Sequence, residues 1–230
     1  SSELRNAAEE LRLSTVSNNL ENAFYLDFSD GEFYLRHPNF SKQSLRASYA
    51  KNSFVNSLKQ AQKEGLLRAL GLKTTSTLKV LDATRGLGKD TLRLLFWSKC
   101  KVTSVEKNKY LNFIFKTGLE NFFSRVKFGG SEISSRLNLL HADALEIVKN
   151  ASSTSFDVIF LDPMYPEKKS QALASGEMQL FQELLNDEIC ESATEELIDT
   201  AISSGCKRVV LKRPLKAPVI GKVSYSQKGS

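Results

Sequence analysis

Residues 78–90 of the chain read LKVLDATRGLGKD, an apolar run followed by an acid and a glycine turn. The run at 78–81 predicts a buried strand, and we expect a helix to begin near Lys89. Gly86 and Gly88 allow the backbone to turn tightly and to approach a ligand closely, and the start of a helix offers free N–H groups. This order is typical of an α/β sheet that binds ligands at the carboxyl ends of its strands.

The chain after residue 78 continues to alternate apolar runs with amphipathic segments. We predict further strands at 102–105, 137–140, 156–161 and 209–211. Three helices are predicted from apolar spacings of three and four: one with Leu111, Ile114, Phe115, Leu119, Phe122 and Phe123, one with Met178, Phe181, Leu184 and Leu185, and one with Ile189, Ala193, Leu197 and Ala201. Continuous apolar strands separated by such helices predict an α/β fold, with a mostly parallel sheet covered on both faces.

The first 70 residues have a different pattern. The first 40 favour β structure, because aromatic runs at 24–28 and 32–35 flank Ser29-Asp30-Gly31, and Asp-Gly between such runs indicates a hairpin. Residues 37–51 are polar and basic without a clear period, and a helix is predicted over 52–70, ended by Gly71. We therefore expect a β-rich and helical N-terminal subdomain over residues 1–70 and a second domain over 71–230.

The composition is ordinary for a globular protein but mildly basic. Lys and Arg outnumber Asp and Glu by 32 to 26, which favours polyanionic partners without proving one. Cys100, Cys190 and Cys206 lack metal-ligand spacing, and His37 and His141 are the only histidines. No apolar run approaches the roughly 20 residues that span a bilayer. We expect a cytoplasmic protein with reduced thiols, no metal and no membrane segment.

Acidic residues follow the first three predicted strands. Asp82 disfavours a pyrophosphate in the glycine turn and suits a cation such as the ammonium of a methionine moiety. Glu106, after the second strand, can accept both ribose hydroxyls of an adenosine. Asp143, after the third, could reach the adenine edge, although an acid there is also often a helix cap. Since Thr91 occupies the third glycine position of the nicotinamide motif, the order favours S-adenosyl-L-methionine over a dinucleotide.

The fourth strand ends in LDPMYP, residues 161–166. This resembles the (D/N)-P-P-(Y/F/W) signature of amino-methyltransferases, with Met164 in place of the second proline. Because the lone pair of an exocyclic amine is delocalised into its ring, hydrogen bonds accepted by the Asp162 carboxylate and the Pro163 carbonyl would localise it toward a methyl donor. Tyr165 offers a face for stacking an extruded base. The alternative reading is a strand-ending Asp-Pro turn with a packed tyrosine.

Several segments together resemble the ribosomal RNA small-subunit methyltransferase J family. They are DATRGLGKD (82–90), VEKN (105–108), LHADAL (140–145), LDPMYPEKKSQALASGEMQLFQELL (161–185) and VVLKRPLKAP (209–218). The resemblance runs from about residue 24 to the end and is most specific in 161–185. It implies a class I Rossmann-like methyltransferase that uses S-adenosyl-L-methionine to methylate N2 of a guanine in 16S rRNA. Its partner would be the small-subunit rRNA or the small ribosomal subunit.

The resemblance also implies roles for individual residues. The family's cofactor contacts fall on Lys89, Asp90, Glu106, Lys107, Asp143, Ala144 and Asp162, to which the glycine turn adds Asp82, Gly86 and Gly88. Asp162, Pro163 and Tyr165 are the predicted catalytic residues. Lys168, Lys169, Lys212 and Arg213 form a predicted phosphate-contacting rim, for which ordinary solvated charge is the alternative.

The chain departs from the family at three places. Residues 37–43 replace a basic, glycine-rich run, so the resemblance does not extend to an RNA contact there. Asp143-Ala144 stands where some members have a serine pair, and the chain stops where members continue into a last strand, which we expect to be missing. Three alternatives stay open: methylation of another RNA or of DNA adenine, a non-catalytic RNA-binding assembly factor, and, more remotely, a nicotinamide oxidoreductase.

Overall fold

The N-terminal part of the chain is a helix followed by a β-hairpin. The computed structural model describes residues 1–14, 23–49, 52–58, 65–125, 130–163, 176–186 and 191–213. Its first elements are α1 (Ser2–Leu11), β1 (Tyr25–Ser29) and β2 (Glu32–Arg36), the two strands being antiparallel. Between them, Asp30 and Gly31 have φ values of 54° and 74°, the pair of positive angles that a tight two-residue hairpin turn requires. The predicted hairpin is confirmed.

The helix α1 lies where the sequence favoured β structure. Two of its apolar side chains, Ala7 and Leu11, are four residues apart and buried. The Lys109 ammonium donates to the Leu11 carbonyl at 3.0 Å. The expectation of a β-rich first 40 residues is therefore wrong for 2–11, where partners far along the chain help to hold a helix that is polar on most of its surface.

The segment predicted as one helix over 52–70 is described in two parts, α2 (Asn52–Leu58) and α3 (Gly65–Ala69), and residues 59–64 lie outside the described ranges. Gly71 has a φ of 67°, and its N–H donates to the Arg68 carbonyl at 3.0 Å. A glycine in the left-handed region is a common way to end a helix, so the predicted end is confirmed.

The central sheet of the described structure has five parallel strands. They are β3 (Lys79–Asp82), β4 (Lys101–Glu106), β5 (Leu137–His141), β6 (Val158–Leu161) and β7 (Arg208–Leu211). Their order is β5-β4-β3-β6-β7, and every neighbouring pair is parallel. The chain builds outward from β3 first on one side and then on the other. The carboxyl ends beside β3 therefore form the crevice in which α/β sheets bind ligands. The predicted fold class is confirmed.

Helices follow the strands of the sheet, with bounds α4 (Lys89–Trp97), α5 (Lys109–Arg125), α6 (Gly130–Ser135), α7 (Ala144–Lys149), α8 (Gly176–Leu185) and α9 (Glu191–Ser203). A 3-10 turn at Pro38–Phe40 follows the hairpin. The start of α4 at Lys89 agrees with the sequence. The helices α6 and α7 were not predicted, because six residues are too few to show a helical period. No helix in the described ranges is long and apolar enough to cross a membrane.

Side chains alternate between two buried clusters along each strand. Val80 and Phe160 join one cluster with residues of α4 and α5, and Leu81 and Ile159 join the other with residues of α7 and α9. All four residues of β6 are buried. This is why the strands read as continuous apolar runs in the sequence.

The N-terminal segment shares the first of these clusters. Leu35 and Leu45 are at most 1 % exposed and pair across a β-bridge. The Tyr49 hydroxyl donates to the Leu87 carbonyl in the glycine turn. This segment therefore supports the turn that follows β3. The boundary at residue 70 stays a prediction.

Candidate active site

A cavity of about 550 Å³ opens at the carboxyl ends of the parallel strands. It is lined by twelve of the residues predicted for the site: Asp82, Gly86, Gly88, Lys89, Asp90, Glu106, Lys107, Asp143, Ala144, Asp162, Pro163 and Lys212. Arg213 is described but is not among the lining residues. Tyr165, Lys168 and Lys169 lie outside the described residues. The structure thus brings the predicted cofactor and acceptor residues to one place, and their individual roles stay predictions.

The glycine turn after β3 forms the floor of the cavity. Gly86 and Gly88 have φ values of 54° and 68°, which favour glycine. A Cβ added to Gly88 would lie 1.8 Å from the Phe115 ring, so this residue must be glycine for α5 to pack. A Cβ on Gly86 would instead meet the Phe181 ring at 3.3 Å, from the facing helix α8. Gly88 therefore serves packing, and Gly86 keeps the cavity open.

The Glu106 carboxylate fixes the turn from the end of β4. Its Oε2 accepts the Gly86 N–H at 2.9 Å, and its Oε1 accepts the Asn108 N–H at 2.8 Å. The Asn108 side chain in turn accepts the N–H of Tyr110 at 3.0 Å in the first turn of α5. The carboxylate predicted to bind a ribose is thus held in one orientation before any ligand arrives.

Asp82 is 2 % exposed at the base of the cavity. Its carboxyl accepts the Thr91 hydroxyl, and the Thr84 N–H lies 3.4 Å away. Burial raises the pKa of Asp82 from 3.8 to about 7; Asp90 adds to the rise, while the Thr91 bond and the Arg85 charge oppose it. Burial therefore disfavours the ionised form of this carboxyl more than the described partners of Asp82 favour it.

Arg85 is a buried cation whose role the sequence does not indicate. Its guanidinium donates to the Ser104 carbonyl at 3.1 Å and to the Asn112 side chain, and lies 4.7 Å from the Phe115 ring centre. Burial lowers the pKa of Arg85, and the charges of Glu106 and Asp82 oppose that effect. Its partners Ser104 and Asn112 are 19 and 27 residues away in the sequence, so no local motif predicts that Arg85 is buried and bonded to them.

The carboxylates of Asp162 and Asp90 both contact the Lys212 ammonium in the lining of the cavity. The Lys212 Nζ lies 2.7 Å from Asp162 Oδ2 and 3.1 Å from Asp90 Oδ2. Burial raises the pKa of Asp162, the Lys212 bond and charge lower it, and Asp90 raises it further. For Lys212, burial lowers the pKa, but the two carboxylates outweigh burial and raise it above its ordinary value. The lysine predicted to contact RNA phosphate is paired here with two acids.

Asp143 has the helix-capping contact that the sequence left as an alternative. Its side chain accepts the Leu145 N–H at 2.8 Å at the start of α7, and the residue also lines the cavity. Capping and a contact with a ligand edge are compatible, because a carboxylate has about four acceptor positions.

An apolar wall closes the cavity opposite the glycine turn. It is made by Met178, Phe181 and Leu185 of α8 and by Leu197 of α9. The sequence predicted Met178, Phe181 and Leu185 as apolar positions of one helix, whereas the fully buried residue of α8 is Leu180, which was not among the predicted positions. Met178, however, is 42 % exposed and faces the cavity. Apolar periodicity does not distinguish a core side chain from one that lines a ligand site.

No group of three or more His, Cys, Asp or Glu side chains that could hold a metal ion is found in the described part of the chain. The chemistry of the cavity is instead that of paired carboxylates, buried cations and backbone N–H groups.

Comparison with known proteins agrees with this geometry. A family model described as "Putative SAM-dependent methyltransferase" matches residues 1–229. The ribosomal RNA small subunit methyltransferase J of Alteromonas mediterranea is 33% identical over 159 residues, covering 69% of this chain and 58% of that protein. The protein of the same name from Pseudomonas paraeruginosa is 35% identical over 166 residues, covering 71% and 61%. The chain therefore spans less than two thirds of the length of these relatives.

A solved structure shares the whole architecture. A SAM-dependent methyltransferase from Neisseria gonorrhoeae superposes with a TM-score of 0.71 at 24% sequence identity, covering 100% of this chain and 88% of that one. At this identity the likeness establishes the common fold.

Proposed function

The chain belongs to the family of SAM-dependent methyltransferases whose model matches residues 1–229, and on that basis we propose that it methylates the exocyclic N2 amine of a guanine in 16S rRNA. The observation that supports this most directly is the position of Asp162 and Pro163. They follow β6 and line the same cavity as the glycine turn and Asp82. The similar proteins named ribosomal RNA small subunit methyltransferase J favour a small-subunit rRNA substrate.

The cavity fits S-adenosyl-L-methionine better than a dinucleotide. A buried carboxyl with a raised pKa at Asp82 would gain from an ammonium and would repel a pyrophosphate. Gly86 leaves room where a Cβ would meet Phe181. We assign the methionine end to Asp82 and Asp90, and the ribose to Glu106. Lys89, Lys107, Asp143 and Ala144 would complete the adenosine side. When bound, the cofactor supplies an activated methyl group.

On the acceptor side, the residues act by holding the amine. The Asp162 carboxylate and the Pro163 carbonyl would accept its two N–H bonds, which turns the nitrogen lone pair toward the donor. Asp162 is itself held, because its N–H donates to the Thr84 hydroxyl at 2.6 Å. Such positioning supplies much of the rate in a direct transfer. The amine gives up one proton after transfer, to Asp162 or to water.

The RNA partner is inferred from charge and from the acceptor motif. The chain carries a net charge of +6, which strengthens binding to a phosphate backbone. Lys168, Lys169 and Arg213 remain the candidates for phosphate contacts. Tyr165 remains the candidate for stacking the guanine. A cytoplasmic location follows from such a substrate and is part of this proposal.

The test is methyl transfer from labelled S-adenosyl-L-methionine. The protein is incubated with unmodified small-subunit rRNA, with small subunits, and with DNA of matched length, and digested products are identified by mass spectrometry. We expect N2-methylguanosine from the rRNA or the subunit. Asp162→Ala should abolish transfer and leave the fold intact. Asp157→Ala is the matched control. Asp157 stands just before β6, at the end of the strand away from the cavity, and its carboxylate pairs with Lys207.

Each other outcome points to a different function. Label on DNA adenine or on another RNA would keep the chemistry and change the substrate. Cofactor binding without transfer to any nucleic acid would contradict the proposed enzyme. RNA binding without cofactor binding would favour an assembly factor on a methyltransferase scaffold.

A further inference from the structure

Lys212 joins three elements at the mouth of the cavity. It lies just past β7, and its backbone N–H continues the sheet by donating to the Leu161 carbonyl at 2.8 Å. Its ammonium then contacts Asp162, which follows β6, and Asp90, in the first turn of α4. Resting on the proposed function, we infer that Lys212 is the positioning residue that holds Asp162 as an oriented carboxylate, with Oδ2 engaged and Oδ1 turned to the acceptor amine.

The need for such a cation follows from the charges around Asp162. The charged groups that line the same cavity are Lys212 after β7, Lys89, Asp90 and Arg93 of α4, Asp82 of β3, Arg85 of the glycine turn, Glu106 and Lys107 at the end of β4, Asp143 before α7 and Glu177 of α8. Asp90 already has Arg93 at 2.9 Å. Within the described ranges, Lys212 is the cation that bonds Asp162. Without it, a half-buried carboxyl beside Asp90 would tend to take up a proton, and a protonated carboxyl is a poorer acceptor for an amine N–H.

The geometry also assigns the two oxygens of Asp162 to different partners. Lys212 bonds Oδ2 at 2.7 Å, a length typical of a charge-assisted bond. No donor among the described residues bonds Oδ1. With the main chain fixed by Thr84 and one oxygen fixed by Lys212, the plane of the carboxylate is set. The second oxygen is then the one that can accept from the substrate amine.

A phosphate contact is the competing role for Lys212, and the two roles differ in their kinetics. If Lys212 bound a phosphate, its removal would raise the KM for RNA and would reduce the slope of log affinity against log salt concentration by about one. The pH profile of the transfer step would stay unchanged. A lysine that keeps Asp162 ionised would change the pH profile, because removal of the ammonium raises the pKa of the carboxyl.

The experiment compares Lys212→Met and Lys212→Arg, with Lys207→Met as the matched control. Lys207 stands just before the same strand, and pairs with Asp157 away from the cavity. Single-turnover methylation of rRNA is measured from pH 5 to 9. In Lys212→Met we expect the acid limb of the profile to move up by about one pH unit or more, with a loss of roughly tenfold or more at pH 6 that is largely recovered at pH 9. Lys212→Arg and Lys207→Met should keep the acid limb of the unaltered protein.

A second measurement does not depend on activity. The carboxyl of Asp162 is titrated by carbon NMR of protein labelled in aspartate, with Asp162→Asn to assign the signal. Its midpoint should rise in Lys212→Met and Lys212→Gln and stay in place in Lys207→Met. An unchanged midpoint, or a change in the KM for RNA with an unchanged acid limb, would overturn the assignment of Lys212. Absence of transfer by the unaltered protein would count against the proposed function, while the titration would still decide the role of Lys212.

Discussion

The buried carboxyl of Asp82 should make the free protein less stable as the pH rises. In the folded chain its pKa is about 7, against an ordinary value of 3.8. The folded state therefore binds the proton more tightly than the unfolded state. This contribution to stability is full below pH 3.8 and is lost as the pH rises toward 7. The change from 3.8 to about 7 corresponds to roughly 4 kcal/mol at most, at 1.36 kcal/mol per pKa unit.

The assay is urea unfolding of the free protein and of Asp82→Asn at several pH values from 4 to 8. Asparagine keeps the shape and the bond from Thr91 but has no titrating group. The difference between the two free energies of unfolding should shift in favour of Asp82→Asn by a few kcal/mol across this range and level off above pH 7. Other titrating groups largely cancel because both proteins contain them.

Adding S-adenosylhomocysteine at pH 7.5 provides the link to function. Its ammonium would compensate the ionised Asp82, so the ligand should stabilise the unaltered protein more than Asp82→Asn. If the difference in stability between the two proteins did not change with pH, Asp82 would titrate near its ordinary value. Asp82 would then lack the raised pKa on which the proposed ammonium site depends.

Three further changes test separate parts of the site. Gly88→Ala should destabilise the protein by about 3 kcal/mol or more, because the new methyl overlaps Phe115 and the residue has a positive φ. The midpoint of urea unfolding measures this loss. An unchanged midpoint would contradict the packing of α5 on the turn. Glu106→Gln should weaken cofactor binding by about 1–3 kcal/mol, since an amide side chain cannot accept both the Gly86 and Asn108 N–H bonds. Calorimetry measures the affinity. An unchanged affinity would exclude Glu106 as the ribose-binding residue. Tyr165→Ala should raise the KM for RNA by about tenfold or more with little change in cofactor affinity, and equal effects on both would contradict base stacking.

The sheet and the residues that line the cavity at its carboxyl edge were predictable because their signals are local. Buried parallel strands read as apolar runs, and Asp82, Glu106 and Asp162 each stand at the end of one. The hairpin was predictable from Asp30-Gly31 for the same reason. What the sequence concealed depends on partners far along the chain: Arg85 beside Asn112 and Lys212 between Asp90 and Asp162. A lysine that follows a strand gives the same sequence pattern whether its ammonium contacts solvent, a phosphate or two carboxylates.

Thr91, the residue at which the turn departs from the nicotinamide motif, has a polar role at the base of the cavity. In a dinucleotide site a glycine at this position allows the helix to pack closely on the strand. Here Thr91 is fully buried, and its hydroxyl contacts both Asp82 and Ser104 Oγ, the latter at 2.8 Å. A polar link between α4, β3 and β4 thus takes the place of close packing. The Thr91 hydroxyl donates to Asp82, so the residue that departs from the nicotinamide motif also helps to hold the buried acid. Substituting Thr91 by glycine should therefore release the acid and raise its pKa further, rather than convert the turn to dinucleotide binding.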